Sequence, residues 1–311
     1  MIDAGELLAD RFGRDRVRRD VALGPFTSFR VGGPADWFIE TRNADEVIAA
    51  LGLARSAGIP ITMLGGGSNM LVSDAGVRGL VIRMRGGTIQ QIARGRVQAD
   101  AAVSMNGLVR WTIHHGYAGL EAWAGTPGTV GGAIFGNAHF SGRLIGDLVD
   151  SVRVVSLEGT LTELRRDEMA FGYDRSRLQE TGEVMLSAIF RVGVGDAGAL
   201  RAIARESLAY RKRTQPLDTR NAGCVFQNPD PARDRVPDGI PWSAGALVDR
   251  AGLKGAVEGA ARVSPAHGNF IVNQGGATAG EIRRLIDRCR DEVRARFGVE
   301  LREEIVYVGE F

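Results

Sequence analysis

The sequence predicts an α+β chain, with two glycine-loop subdomains over residues 1–213, divided near 90, and a smaller α+β domain over 214–311. Three observations predict it. Helical and strand-like apolar periods both recur along the chain. The 43 glycines cluster at 65–67, 125–136 and 275–280, which marks tight turns rather than a linker tract. Residues 214–223 have no apolar period and read as a domain boundary.

Length and composition bound the rest. At 311 residues, about two domains are expected. Hydrophobic content of 44% with 24% charged residues is that of a soluble globular protein. With 39 basic and 37 acidic residues, nothing argues for nucleic acid or an anionic membrane surface as partner. Residues 1–19 lack an apolar signal region, and no run is apolar enough to span a bilayer, so the cytoplasm is the expected location. Cys224 and Cys289 form neither a disulfide framework nor a Cys-x-x-Cys site.

In chain order, Ala4 to Phe12 is a short amphipathic helix. Residues 26–40 contain Gly32-Gly33-Pro34, a sharp bend between two extended pieces, with Arg30 either an anion ligand or a strand-end surface charge. Asn43 to Ala57 is a helix, with Asn43 as N-cap, Glu46 closing a capping box, and Gly58 as the stop. Strands at 61–64 and 79–84 complete a β-α-β unit. Between them lies Gly65-Gly66-Gly67-Ser68-Asn69, where glycines let the backbone approach a ligand and successive N–H groups can hold an anion. A pyrophosphate loop and a plain glycine turn both fit it.

A strand at 97–102 precedes a helix over 104–115 with Leu108, Trp111 and Ile113 buried. His114 and His115 suit its C-terminus as cations. The second glycine cluster follows, with Thr126 and Thr129 beside it. Neither cluster is the Rossmann fingerprint. Residues 151–157 and 161–164 form a hairpin around Glu158-Gly159, and 185–192 is a strand. The connection 171–178, dense in Arg, Tyr and Ser, is either an anion site or a solvated loop. Helices follow at 197–212, 244–251 and 280–297, the last burying Ile282, Leu285, Ile286, Cys289, Val293 and Phe297. Strands are expected at 269–273 and 301–308.

Four features could carry chemistry. Cys224, in Asn-Ala-Gly-Cys, could donate a proton or act as a nucleophile. Arg175 and Arg177 could hold a carboxylate or developing negative charge. Of the pair Glu303-Glu304, strand alternation turns one carboxylate inward, as a general acid or a salt-bridge partner. The four histidines lack metal-ligand spacing, so no metal is expected.

Read together, eight motifs stand in one order: 27–35 (TSFRVGGPA), 64–71 (LGGGSNML), 125–133 (GTPGTVGGA), 171–176 (FGYDRS), 221–229 (NAGCVFQNP), 251–255 (AGLKG), 267–273 (HGNFIVN) and 303–305 (EEI). The chain closely resembles the UDP-N-acetylenolpyruvoylglucosamine reductase family, in its shorter subclass, over about residues 26–308. The resemblance implies a vanillyl-alcohol-oxidase/PCMH-type FAD-binding fold over 1–213 with a substrate domain over 214–311. It implies reduction of FAD by NADPH, hydride delivery from flavin N5 to the enolpyruvyl ether of a nucleotide sugar, and no obligate protein partner. By motif, Cys224 takes the place of the family's proton-donating serine, and Glu304 that of its active-site glutamate. The family's Tyr-Arg-x-Ser reads Tyr173-Asp174-Arg175-Ser176 here, so Arg175 is assigned as the catalytic arginine with Arg177 as its rival. Cofactor contacts are implied for Arg30, Gly65, Gly66, Gly67, Ser68, Asn69, Thr126, Pro127, Gly128, Thr129, Gly131 and Gly132, and substrate contacts for Tyr173, Arg177 and Asn228. The stretch 136–140 (GNAHF) departs from the usual Asn-Ala-Gly-Ala-Tyr.

Overall fold

In the computed structural model, which describes residues 4–311, local signals place most regular elements. Helix Ala44–Ser56 starts with Asn43 Oδ1 accepting from Glu46 N at 2.9 Å. The expected capping box is not closed on Asn43. The Glu46 carboxylate accepts instead from Arg42 N at 2.9 Å and from Arg16 at 2.6 Å. Ser104 caps Met105–His114. Trp111 is only half-buried there, because it stacks on His115 at 3.9 Å rather than entering the core. Thr278 and Glu281 close a full capping box on Ala279–Phe297, which ends at Gly298 with φ +67. Its buried face carries Ile282, Leu285, Ile286, Cys289 and Val293, with Phe297 at the edge. Burial pushes the Cys289 thiol up to about 12, as befits an inert core residue.

Internal packing divides the residues into two units. Among the described residues, the first comprises 4–20, 36–66 and 78–210. Its main sheet runs Leu161–Arg165, Val149–Val155, Val184–Arg191, Arg96–Asp100, Ile89–Ala93, all antiparallel. The expected hairpin joins the first two strands. A second sheet runs Arg18–Ala22, Pro34–Thr41, Val77–Met84, Ile61–Leu64. Its last two strands are parallel, with Ile61 opposite Leu80, so the β-α-β unit is formed.

The second unit comprises 21–35, 67–77 and 211–311. Two of these segments precede the expected boundary at 214, and their partners explain why they group with the C-terminal residues. Val306–Val308 pairs in parallel with Met70–Val72. Asn273 Nδ2 donates to Phe29 O at 2.8 Å. The Asp74 carboxylate accepts from Ala279 N and Gly280 N at 2.8 and 2.9 Å, satisfying orphan donors at a helix start. Phe29, Val31 and Leu71 lie in one core with Val225, Phe226, Ile282 and Ile305.

Two extended pieces expected from sequence take other forms. Gly24–Phe26 is a 3-10 turn, and Arg30 has φ +60, so the chain before Pro34 is a compact loop. Regular pairing near the C-terminus covers only Val306–Val308, leaving Glu303 and Glu304 outside the strand.

Candidate active site

Cys224 sits half-buried after Gly223, whose φ of +81 is one a side chain would strain. Asn221 shapes the loop: its Nδ2 donates to Pro216 O and its Oδ1 accepts from Gly223 N, both at 2.9 Å. Beyond Cys224 the backbone is held on two sides. On one, Val225 N donates to Asn269 O at 2.9 Å. The Asn269 side chain, buried, accepts from Phe226 N at 2.9 Å and donates to Phe226 O at 2.7 Å. On the other, Glu304 N donates to Val225 O and Gln227 N to Arg302 O, each at 2.8 Å. Asn69 continues the tie, its Nδ2 donating to Glu304 O at 3.0 Å and its carbonyl accepting from Val306 N at 2.9 Å. Asn69, Val225 (the residue after Cys224) and Glu304, far apart in sequence, are thus joined through hydrogen bonds to the Glu304 main chain.

The strand-alternation argument for Glu304 does not hold, because no strand covers it; the ladder to Val225 positions it. Its neighbour Glu303 accepts from Arg290 at 2.6 Å and is a salt-bridge partner. Asn228 Oδ1 accepts from Ala244 N at 3.1 Å, at the start of helix Ala244–Arg250. Sequence reasoning missed Arg211. It is 7% exposed, and burial pushes its guanidinium down to about 10 against the opposing influence of Cys224. The run Arg211-Lys212-Arg213 was visible, but it does not say which base faces inward.

In the first unit the two glycine clusters meet. A Cβ on Gly66 would lie 2.5 Å from Gly128 Cα, and one on Gly65 would lie 2.8 Å from Thr129 Oγ1. Thr129 caps Val130–Phe135, a short helix that the sequence pattern does not signal. Asn106 braces the loop before it, accepting from Gly125 N at 2.8 Å and donating to Thr126 O at 3.3 Å. Gly131 N donates to Ala101 O at 2.9 Å, and a Cβ on Gly131 would press on the Ala101 methyl at 3.1 Å. Pro127 and Gly132 are exposed. Among the described residues, the N–H groups of Gly66, Gly67 and Ser68 find no protein acceptor. Consecutive unfilled donors on a glycine-rich backbone fit the diphosphate of FAD. The strand Ile61–Leu64 leads through this loop to another strand, Met70–Val72, so it is no Rossmann turn.

Gly67 also anchors the loop. With φ +60, its carbonyl accepts from Ser28 N at 2.9 Å, and a Cβ there would strike Phe26 O. Arg30 is exposed and donates to Pro25 O in its own loop, so it is not a strand-end charge.

The segment 171–177 is a tight turn, with Gly172 N donating to Arg175 O at 3.0 Å and Asp174 at φ +52. Asn137, fully buried, donates to Gly172 O at 2.6 Å. Ser176 Oγ donates to Phe135 O at 2.7 Å. The two candidate arginines are both ion-paired. Exposed Arg175 pairs with Glu180 at 2.6 Å. Arg177 pairs with Glu183 through two bonds of 2.8 and 3.1 Å. That pair raises the Arg177 guanidinium and holds the Glu183 carboxyl below its ordinary range. Tyr173 is exposed, its hydroxyl 3.3 Å from His139 Nε2, and Asp174 Oδ1 lies 2.9 Å from His139 Nδ1. No sequence spacing links residues 139 and 174.

Residues 35–165 match the family model of an FAD binding domain. Fold and cradle therefore define the class: an FAD-dependent oxidoreductase. Residues 215–308 match the model of the C-terminal domain of UDP-N-acetylenolpyruvoylglucosamine reductase. The reductase of that name from Gloeobacter violaceus is 39% identical over 95% of this chain and 97% of its own. The one from Desulfosudis oleivorans is 38% identical over 96% of each. The solved structure of the Thermus caldophilus enzyme superposes with a TM-score of 0.79 at 32% identity, covering 94% of this chain and 99% of that one. The chain belongs to the UDP-N-acetylenolpyruvoylglucosamine reductase family, flavoproteins of peptidoglycan precursor synthesis, with FAD as cofactor and NADPH as the family's standard reductant. Among the described residues, no helix is long and apolar enough to cross a membrane.

Proposed function

We propose that this protein reduces the enolpyruvyl ether of UDP-N-acetylglucosamine enolpyruvate to the lactyl ether of UDP-N-acetylmuramate, in the cytoplasm and without an obligate protein partner. FAD, when bound, supplies the hydride, taken from NADPH and delivered to the methylene carbon. The residues of this chain do the rest. Gly65, Gly66, Gly67, Ser68 and Asn69, with Thr126, Pro127, Gly128, Thr129, Gly131, Gly132 and Arg30, hold the cofactor. Residues 1–213 supply most of that site and 214–311 most of the substrate site, including Asn228.

Hydride addition leaves negative charge on the carbon bearing the carboxylate, and that carbon needs a proton. Cys224 gives it: a thiol, with an ordinary pKa of about 8.5, is a competent acid where an alcohol needs more help. Glu304 acts beside it as a second acidic group. Arg175 stabilises the developing charge. It is preferred over Arg177 because Arg177 is committed to Glu183, whose side chain is 11% exposed. The observation that supports this reading is the hydrogen bond from Glu304 N to Val225 O, which ties the backbone at Glu304 to the residue after Cys224.

The test is anaerobic. Holoenzyme reduced with NADPH should reoxidise its flavin when UDP-N-acetylglucosamine enolpyruvate is added. Flavin that stays reduced overturns the reading.

A further inference from the structure

Asp174 has a hydrogen-bonding capacity that the fold leaves half used. Its φ of +52 lies in the left-handed region, which Asp and Asn tolerate better than other side chains. Its side chain is 7% exposed. Oδ1 is hydrogen-bonded to His139 Nδ1 at 2.9 Å. The other ring nitrogen, His139 Nε2, faces the Tyr173 hydroxyl at 3.3 Å. The two rings pack with centroids 4.6 Å apart. Oδ2 is buried and has no hydrogen-bond partner. The adjacent cation does not supply one, since Arg175 turns to Glu180. A buried carboxylate oxygen without a donor is costly, and such an atom at a strained turn marks a place where a ligand completes the set.

We propose that Asp174, oriented by His139 and Tyr173, is a ligand subsite whose Oδ2 accepts a hydrogen from an uncharged donor, a hydroxyl or amide N–H, of the nucleotide sugar. This rests on the substrate reading given above. A carboxylate repels the diphosphate and the enolpyruvyl carboxylate, so the donor belongs to the sugar or the base.

The experiment measures the Kd of UDP-N-acetylglucosamine enolpyruvate for the oxidised holoenzyme, by flavin difference spectra, with Tm recorded with and without the nucleotide. Asp174→Asn keeps the left-handed backbone and an acceptor for His139 but puts a donor in place of Oδ2. Kd should rise ten- to a hundredfold. The Tm of the nucleotide-free protein should stay the same or rise, a result that a purely structural role would not give. Asp174→Gly, which suits the same φ, should lose affinity equally and serves if the Asn variant does not fold. A variant Kd within twofold of wild type overturns the proposal, whatever its Tm. A Tm rise on adding magnesium chloride alone, abolished by Asp174→Asn, assigns Oδ2 to a cation and also overturns it. Wild-type holoenzyme that does not bind the nucleotide overturns the functional reading, and the proposal with it.

Discussion

Cys224 in the second unit and the Tyr173–Arg177 turn in the first are both loops beside glycine, and different forces hold them. Around Cys224 the ties are main-chain hydrogen bonds to Asn269, Glu304 and Arg302, with the Asn269 amide filling the one gap. None of them involves the Cys224 side chain. In the turn the ties are side-chain pairs: Asp174 to His139, Arg175 to Glu180, Arg177 to Glu183. A loop fixed through its backbone can exchange one side chain for another with little movement of the chain. A loop fixed through side chains has no such freedom, and changing one residue re-partners its neighbours. In this turn Asp174 is taken up by a histidine thirty-five residues away.

The contrast can be broken at several points. Cys224→Ala should slow flavin reoxidation by substrate about 10²- to 10⁴-fold, roughly 3–5 kcal/mol of barrier, with little change in Tm. Stopped-flow separation of the two half-reactions checks this, and an unaltered second half-reaction would remove Cys224 as the acid. Asn269→Ala should cost about 3 kcal/mol of stability, because Phe226 N–H and C=O are left buried without partners. Urea titration reads it, and a loss under about 1 kcal/mol would mean that the ladder does not depend on that amide. The arginines should part company. Arg175→Ala should cost about tenfold or more in turnover with unchanged stability, whereas Arg177→Ala should cost about 1 kcal/mol of stability. Reversed effects would exchange their roles.

The Arg177–Glu183 pair also has a pH signature. Glu183 is held below the ordinary value of 4.5, so its stabilisation is present above that pH and fades as pH falls through the lowered value. The Tm gap between wild type and Arg177→Ala should therefore narrow below pH 4.5. A gap constant from about pH 7 to about pH 3 would be inconsistent with the pair. The smallest effect is expected from Cys224→Ser: turnover within about tenfold, with the alkaline limb of the pH–rate profile displaced. An unmoved limb would mean that the thiol is not what titrates.

Much of the fold was readable because its signals are local. The caps at Asn43, Ser104 and Thr278, the hairpin at Glu158-Gly159 and the inner face of Ala279–Phe297 each lie within a few residues of the element they define. The glycine clusters were readable as loops, but their meeting at Gly66 and Gly128 was not, since no period joins positions that far apart. Glu304 is legible by motif but not by strand alternation, because the strand begins at Val306. Arg211 was hidden within a basic run whose buried member only packing reveals. Arg30 looked like part of an extended piece because nothing in its neighbours signals a left-handed φ.

The parallel pairing of Met70–Val72 with Val306–Val308 bears on how the protein is made. Asn69 and Glu304 are 235 positions apart, so a ribosome has long since released the first partner when the second emerges. Until then the edge at Met70 has no neighbour. Closing so long a chain excursion is slow and comes late in folding, and an exposed edge meanwhile invites wrong partners. A polypeptide interrupted before Val306 would lack the closing strand that carries the Asn69 tie. The tie between Asn69 and Glu304 is thereby made only after residues 304–308 have joined the fold.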